Sequence, residues 1–119
     1  MYKIAVVDDD LIVREIIKNA LESKGWQVSV FENGEQFLNV LDTGDNFDLL
    51  FLDLIMPGIN GFTLLEKMTS MNRKIPTVVL TGLNREESVV MAHNHGAKSY
   101  LVKPVKPAEI IEKAEEILG

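Results

Sequence analysis

Residues 47–61 read FDLLFLDLIMPGING and contain the features that decide the fold. The apolar run 49–52 is long enough for a strand buried on both faces, and it ends abruptly in Asp53. A proline and two glycines follow and mark a loop. A carboxylate beside a buried strand costs free energy unless it is solvated, paired or bound to a metal. Asp53 therefore either caps the loop as the chain leaves the core or belongs to a functional site.

The length and charge of the chain limit the classes of protein it can be. With 119 residues it has enough chain for one hydrophobic core, and we expect a single domain over 1–119. Its formal charge of −6 argues against binding to nucleic-acid phosphates or to an anionic membrane. The lack of cysteine excludes disulfides and thiolate chemistry. No apolar run approaches the ~20 residues of a membrane span, and acids follow the N-terminus too early for a signal peptide, so we expect a cytoplasmic protein.

Short apolar runs alternate with amphipathic stretches along the chain, which is typical of β/α units around a parallel sheet. We predict five such units. The predicted strands are 3–7, 27–31, 49–52, 77–80 and 99–102. The predicted helices are 11–23, one that carries Phe37, Leu38 and Leu41, one that begins near Gly61, roughly 85–94, and one that begins at Pro107.

Polar side chains end four of the five predicted strands. They are Asp8, Asp9 and Asp10 after the first strand, then Asp53, Thr81 and Lys103. Because the carboxyl ends of parallel strands share one edge of a sheet, we expect these groups at one rim. Clustered carboxylates need a compensating cation, and an all-oxygen ligand set favours Mg²⁺, which completes its coordination with water and phosphate oxygens. The sequence therefore predicts phosphoryl chemistry.

Four motifs lie in order along the chain, each at the end of a predicted strand: VVDDD, LDLIMPGING, VVLTG and YLVKPVKP. Together they resemble the CheY-like receiver domain of two-component response regulators, and the resemblance covers essentially the whole chain. It implies a flavodoxin-like α/β fold, a doubly wound sheet of five parallel strands in the order 2-1-3-4-5 with five helices. It also implies a phosphorelay function.

The resemblance assigns a role to each residue of the predicted site. Asp53 would accept a phosphoryl group from a phosphohistidine on a sensor histidine kinase or a histidine phosphotransfer protein. Lys103 would neutralise charge on that group, and the Lys103–Pro104 bond would be cis. The Mg²⁺ ligands would be Asp8, Asp9, Asp53 and the backbone carbonyl of Ile55.

Thr81 and Tyr100 match the switch pair of this family. After phosphorylation the Thr81 hydroxyl would bond the phosphoryl group and Tyr100 would rotate inward, which changes the surface of the fourth helix, fifth strand and fifth helix. The phosphoryl group would have to favour the active state by about 5 kcal/mol. The same surface is a candidate for homodimerisation. Ile55 and Leu83 cannot hydrogen-bond an attacking water, so we expect only self-phosphorylation and slow self-dephosphorylation rather than turnover as an enzyme.

Several single residues have plainer interpretations. We expect Asp10 to cap the first helix rather than to bind the metal. His93 and His95 suggest a metal site, but they lack nearby acids, and interaction with a helix C-terminus is the favoured interpretation.

Three other functions stay as alternatives. A magnesium phosphatase of the haloacid-dehalogenase type expects a second aspartate two residues after the nucleophile, where this chain has Ile55. A flavodoxin-like cofactor binder would want a hydroxyl- or glycine-rich loop after the first strand, where this chain has acids. A receiver-fold interaction module that works without phosphorylation has no use for the full set of strand-end groups. Whether the chain stands alone or belongs to a longer regulator stays open.

Overall fold

The structure, a computed structural model, describes residues 1–82 and 93–119. Five parallel strands form one sheet in the order β2-β1-β3-β4-β5. The strands are β1 (Lys3–Val7), β2 (Gln27–Phe31), β3 (Leu49–Asp53), β4 (Thr77–Thr81) and β5 (Ser99–Val102). This order and pairing confirm the predicted flavodoxin-like sheet.

Four helices pack on the sheet within the described ranges. They are α1 (Leu11–Glu22), α2 (Gly34–Asp42), α3 (Gly61–Ser70) and α4 (Pro107–Leu118), which is the fifth helix of the prediction and is called the C-terminal helix below. The structure does not describe residues 83–92, so the predicted helix over 85–94 lies mostly outside the described part of the chain. None of the described helices is long and apolar enough to cross a bilayer.

The sheet separates two hydrophobic clusters, because successive side chains of a strand point to opposite faces. Ala5 and Val7 of β1 join the cluster under α2 and α3, whereas Ile4 and Val6 join the cluster under α1 and the C-terminal helix. Every residue of β3 and β4 is buried. Strands covered on both faces read as continuous apolar runs, which is why the sequence pattern located them.

Side-chain caps fix where three of the helices begin. A side-chain oxygen of Asp10 accepts the Ile12 backbone N–H at 2.9 Å, which confirms that Asp10 caps α1. Asn33 and Asn60 cap α2 and α3 in the same way. The C-terminal helix has no side-chain cap and carries a proline in its first turn instead. Backbone N–H groups of the first turn have no partner within the helix, so the N–H that proline lacks is not missed there.

At the end of the sheet where the parallel strands begin, Arg73 hydrogen-bonds the end of α2 and the loop that leads to β3. Its guanidinium donates to the backbone carbonyls of Leu41, at 2.9 Å, and of Asp45. Lys3 Nζ lies 2.6 Å from an Asp45 carboxylate oxygen on the same loop. This loop thus receives two cationic side chains on the side of the sheet away from the strand-end acids.

Candidate functional site

The carboxyl ends of β1, β3, β4 and β5 meet at one edge, as the polar strand ends predict. β3 and β4 each run one residue past their predicted ends, because Asp53 still pairs with Leu80 and Thr81 still pairs with Val102. The Lys103 N–H donates to the Thr81 carbonyl at 2.7 Å. The sequence pattern cannot distinguish a polar residue at the last paired position of a strand from the first residue of a loop. The backbone hydrogen bonds that define the strand do not depend on side-chain polarity.

Three carboxylates form a compact cluster at this edge. Asp8, Asp9 and Asp53 each offer an oxygen, and these oxygens all lie within 4.8 Å of one another. Asp8 is fully buried and Asp53 is 4% exposed, whereas Asp9 faces solvent. Lys103 Nζ lies 3.0 Å from Asp8 Oδ2 and 3.3 Å from Asp53 Oδ2. One ammonium thus bridges the two buried acids.

The acids and the lysine perturb each other's protonation. Burial, then the negative charge of Asp8, raise the pKa of Asp53 to about 7, and a contact with Asp9 adds to the rise, while Lys103 and the Ile55 N–H oppose it. Burial lowers the pKa of Lys103, but its contact with Asp8 and the charges of both acids outweigh burial, so that its pKa is raised overall. The lysine stays protonated, and Asp53 ionises near neutral pH.

The backbone and side-chain polar atoms of Asp8 form hydrogen bonds or ion pairs with neighbouring residues. Its N–H donates to the Phe31 carbonyl at 3.1 Å, its Oδ1 accepts the Asp10 N–H at 2.8 Å, and its carbonyl accepts from Arg14 Nη1 at 2.7 Å. Its Oδ2 is buried, and its partner among the described residues is the Lys103 ammonium at 3.0 Å. This oxygen therefore lies within the acidic cluster, where it already contacts one cationic group.

The donor set fits a hard divalent cation. The three ionised carboxylates and one ammonium carry a formal charge of −2, and every candidate ligand atom is an oxygen. Such a site suits Mg²⁺, which binds through a few carboxylates and keeps waters that phosphate oxygens can replace. Asp10 is absent from the cluster and caps α1 instead.

The loop after β3 turns sharply back toward the site. The Ile55 N–H donates to Asp53 Oδ1 at 3.2 Å, and the Ile55 side chain is exposed. Gly58 has φ +78°, and a Cβ on Gly61 would lie 2.7 Å from the Asp53 carbonyl oxygen and 2.8 Å from the Leu54 Cα. Glycine is needed at both positions, for backbone conformation at the first and for close approach at the second.

The other predicted residues are placed as follows. Thr81 is buried at the end of β4, and Tyr100 on β5 is 37% exposed. The Lys103–Pro104 peptide bond is cis. Leu83 lies outside the described residues.

The expectation that the two histidines lack nearby acids is wrong for His95. Its Nε2 lies 3.2 Å from Glu66 Oε1 of α3, and its ring packs 5.6 Å from that of Phe62. These partners precede His95 by about thirty residues, so local sequence could not reveal them. Sequence reasoning also missed Arg14. The signal that could have found it is a basic side chain one turn into a helix, since helical side chains point back toward the N-terminus.

Known proteins resemble this chain along nearly all of its length. A model of the family described as "Response regulator receiver domain" matches residues 4–115. The chain is 38% identical over 118 residues to the transcriptional regulatory protein CpxR of Escherichia coli, an alignment that covers 99% of this chain and 50% of CpxR. The chain therefore spans half of the length of that relative.

Solved structures agree with the match in sequence. The crystal structure of a two-component response regulator from Clostridium difficile superposes with a TM-score of 0.91 at 30% identity, covering 99% of this chain and 96% of that one. The BeF3-activated DrrB receiver domain gives a TM-score of 0.88 at 30% identity, covering 99% and 97%. With its sheet order and its strand-end acids, the chain belongs to the response regulator receiver domain family, the signalling modules of two-component systems.

Proposed function

We propose that Asp53 accepts a phosphoryl group from a phosphohistidine on a sensor histidine kinase or a histidine phosphotransfer protein, in a reaction that needs Mg²⁺. One observation carries the proposal: a buried carboxylate at the end of the central strand shares its pocket with two further acids and a lysine. Structural acids gain nothing from such crowding, which raises the pKa of Asp53. Crowding of this kind suits a nucleophile beside a cation site.

The transfer exchanges one bond to phosphorus for another. A carboxylate oxygen of Asp53 bonds to phosphorus as the bond from phosphorus to the imidazole nitrogen breaks, and the electron pair stays on that nitrogen, which then takes a proton. The product is an acyl phosphate. Lys103, 3.3 Å from Asp53, favours the ionised form of that carboxylate. It would face the phosphoryl oxygens, where fixed positive charge lowers the barrier of a loose transition state.

Asp8, Asp9 and Asp53, with the Ile55 carbonyl, are the proposed ligands of the metal. Bound Mg²⁺ would supply positive charge that offsets the acids and the phosphoryl oxygens. The close approach of the three carboxylates, whose oxygens lie within 4.8 Å of one another, supports this assignment.

A docking partner must reach the pocket, and exposed apolar side chains lie at its rim. Leu11 and Ile12 open α1 directly after the acids, and Ile55 follows Asp53; all three are exposed. Apolar side chains that surround a polar site are typical of a surface that a protein partner covers. We propose that the phosphodonor protein packs on this rim.

Phosphorylation would act on output through Thr81 and Tyr100. Thr81 is buried at the end of the neighbouring strand, from which its hydroxyl could bond the phosphoryl group. Tyr100 has an exposed ring that could move inward. The affected surface would comprise β5, the C-terminal helix and the predicted helix over 85–94, and it is also the proposed site of homodimerisation. Self-dephosphorylation is proposed to be slow, because the exposed Ile55 side chain offers an attacking water no hydrogen bond.

The test is incubation with a small-molecule phosphodonor and Mg²⁺ followed by intact-mass measurement. Wild type should gain one phosphoryl group, and it should gain almost none with EDTA. Asp53→Asn should gain none, whereas Asp42→Asn, which changes an exposed acid of α2, should behave as wild type. An unmodified wild type, or an Asp53→Asn variant modified equally, would refute the proposal and favour an interaction module that works without phosphorylation.

A further inference from the structure

We propose that Arg14 is a positioning residue for this site, which holds the turn that carries Asp8 and Asp9 in the arrangement that binds the metal. The inference rests on the proposed function, because it adds a residue to the same site. Arg14 lies in the first turn of α1, and its Nη1 donates to the Asp8 carbonyl at 2.7 Å. The arginine side chain is partly buried rather than solvated.

The Asp8 carbonyl needs this partner because of where it lies. β1 ends at Val7, and the last bond that ties the strand to β2 at this end is the one from the Asp8 N–H to the Phe31 carbonyl. A buried carbonyl left without a donor costs about 1–3 kcal/mol. A guanidinium donor also makes a stronger bond than a neutral one, because its charge assists the bond.

The bond fixes the direction of the metal ligands. With its N–H, carbonyl and Oδ1 all held, Asp8 has one orientation, and its Oδ2 points to Lys103 and the other acids. Asp9 is the next residue along the same turn, so a shift of the Asp8 peptide would move its carboxylate as well. Groups that hold a metal ligand in place typically change metal affinity 10- to 100-fold when they are removed.

A matched control distinguishes positioning from general stabilisation. Arg73 also donates its guanidinium to backbone carbonyls, those of Leu41 and Asp45, but at the opposite edge of the sheet. Replacing either arginine with methionine keeps an unbranched, flexible side chain of comparable length and removes the donors. Both variants should lose stability, but only the change at Arg14 should alter the acidic site.

The experiment measures Mg²⁺ affinity by titration calorimetry on wild type, Arg14→Met, Arg14→Lys and Arg73→Met, well below each melting temperature. Arg14→Met should bind Mg²⁺ about 10-fold or more weakly. Arg14→Lys should recover part of the loss, because an ammonium can still donate one bond, and Arg73→Met should bind within about twofold of wild type. In metal-free protein, the Asp10 amide, bonded to Asp8 Oδ1, should exchange with solvent faster in Arg14→Met than in Arg73→Met.

Each outcome has a distinct meaning. If wild type binds no Mg²⁺, the metal site of the proposed function fails and this inference fails with it. If wild type binds Mg²⁺ and Arg14→Met binds equally well, the positioning role is overturned while the proposed function stands. Equal losses in Arg14→Met and Arg73→Met would also overturn it, since the effect would then be global. If Arg14→Met does not fold, the same comparison is made between Arg14→Lys and Arg73→Lys.

Discussion

Asp53 is placed where its charge is costly, and the neighbouring residues account for its pKa. Burial and the charge of Asp8 raise the pKa to about 7, while Lys103 and the Ile55 N–H keep it from rising further. The carboxylate is therefore ionised in part at neutral pH without a metal. A bound cation would favour full ionisation, since opposite charge stabilises the charged form. The proposed metal binding would thus be coupled to ionisation of the proposed nucleophile at this residue.

Removing this acid should stabilise the metal-free protein, and more so at high pH. The raised pKa means that between pH 3.8 and 7 the folded chain keeps a proton that the unfolded chain releases, so the stability of the wild type falls as the pH rises through this window. The advantage of Asp53→Asn in free energy of unfolding should grow by about 2 kcal/mol between pH 5.5 and pH 8. Urea unfolding in EDTA measures it.

Asp42→Asn is the control for this prediction, because Asp42 is exposed and outside the acidic cluster. Its difference from wild type should be the same at both pH values. A difference for Asp53→Asn that does not change with pH would contradict a pKa raised by burial.

At the scale of elements, the junction between β3 and α3 decides whether the site can form. The Gly61 N–H donates to the Leu54 carbonyl at 3.0 Å, and Gly61 packs against the backbone of Asp53 and Leu54. The first turn of α3 thus rests directly on the strand end that carries Asp53, the proposed nucleophile. The sequence marked this region as a loop, but the reason for the glycine at 61 is a tertiary contact that no turn pattern reveals.

Gly61→Ala should destabilise the protein by about 1–3 kcal/mol, because the new methyl group meets backbone atoms that cannot rotate away. Gly82→Ala is the matched control, since a Cβ there meets none of the residues that the structure describes within 4 Å and the backbone is not left-handed. Its effect should stay within about 0.5 kcal/mol. Thermal or urea unfolding compares the two variants. Equal stabilities would mean that the helix can shift away from the strand at no cost.

On the scale of the whole molecule, periodicity and composition predicted the elements, and resemblance supplied their order. The alternation of apolar runs located every strand within one residue. The two ends that were missed, those of β3 and β4, carry polar side chains at the last paired position. No local pattern could place β2 beside β1 rather than beside β3, since sheet order depends on contacts between distant segments. The acids of the site were predictable because each lies at or just after the end of an apolar strand. Arg14 and the pair of His95 with Glu66 were not, because their partners come from tertiary packing.

The proposed switch predicts a change on β5, two strands along the sheet from Asp53, that one label can follow. The chain has two tyrosines, and Tyr2 bonds the Leu118 carbonyl at the amino edge of the sheet, away from the acidic site. In protein labelled with 3-fluorotyrosine, phosphorylation should shift the Tyr100 resonance and reduce its broadening by a soluble paramagnet. The Tyr2 resonance should shift less, because Tyr2 contacts the last residue of the C-terminal helix. Tyr2→Phe assigns the two signals. An unmoved Tyr100 resonance in fully phosphorylated protein would rule out its inward rotation.

The most direct test of the central claim is the position of the phosphoryl group in the modified chain. Borohydride converts an aspartyl phosphate to homoserine, so reduction followed by peptide sequencing on a mass spectrometer identifies the acceptor residue. We expect homoserine at residue 53 alone, and its yield should fall to background without Mg²⁺ and in Asp53→Asn. Homoserine at Asp8, at Asp9 or at an exposed acid such as Asp42, with residue 53 unchanged, would contradict the account.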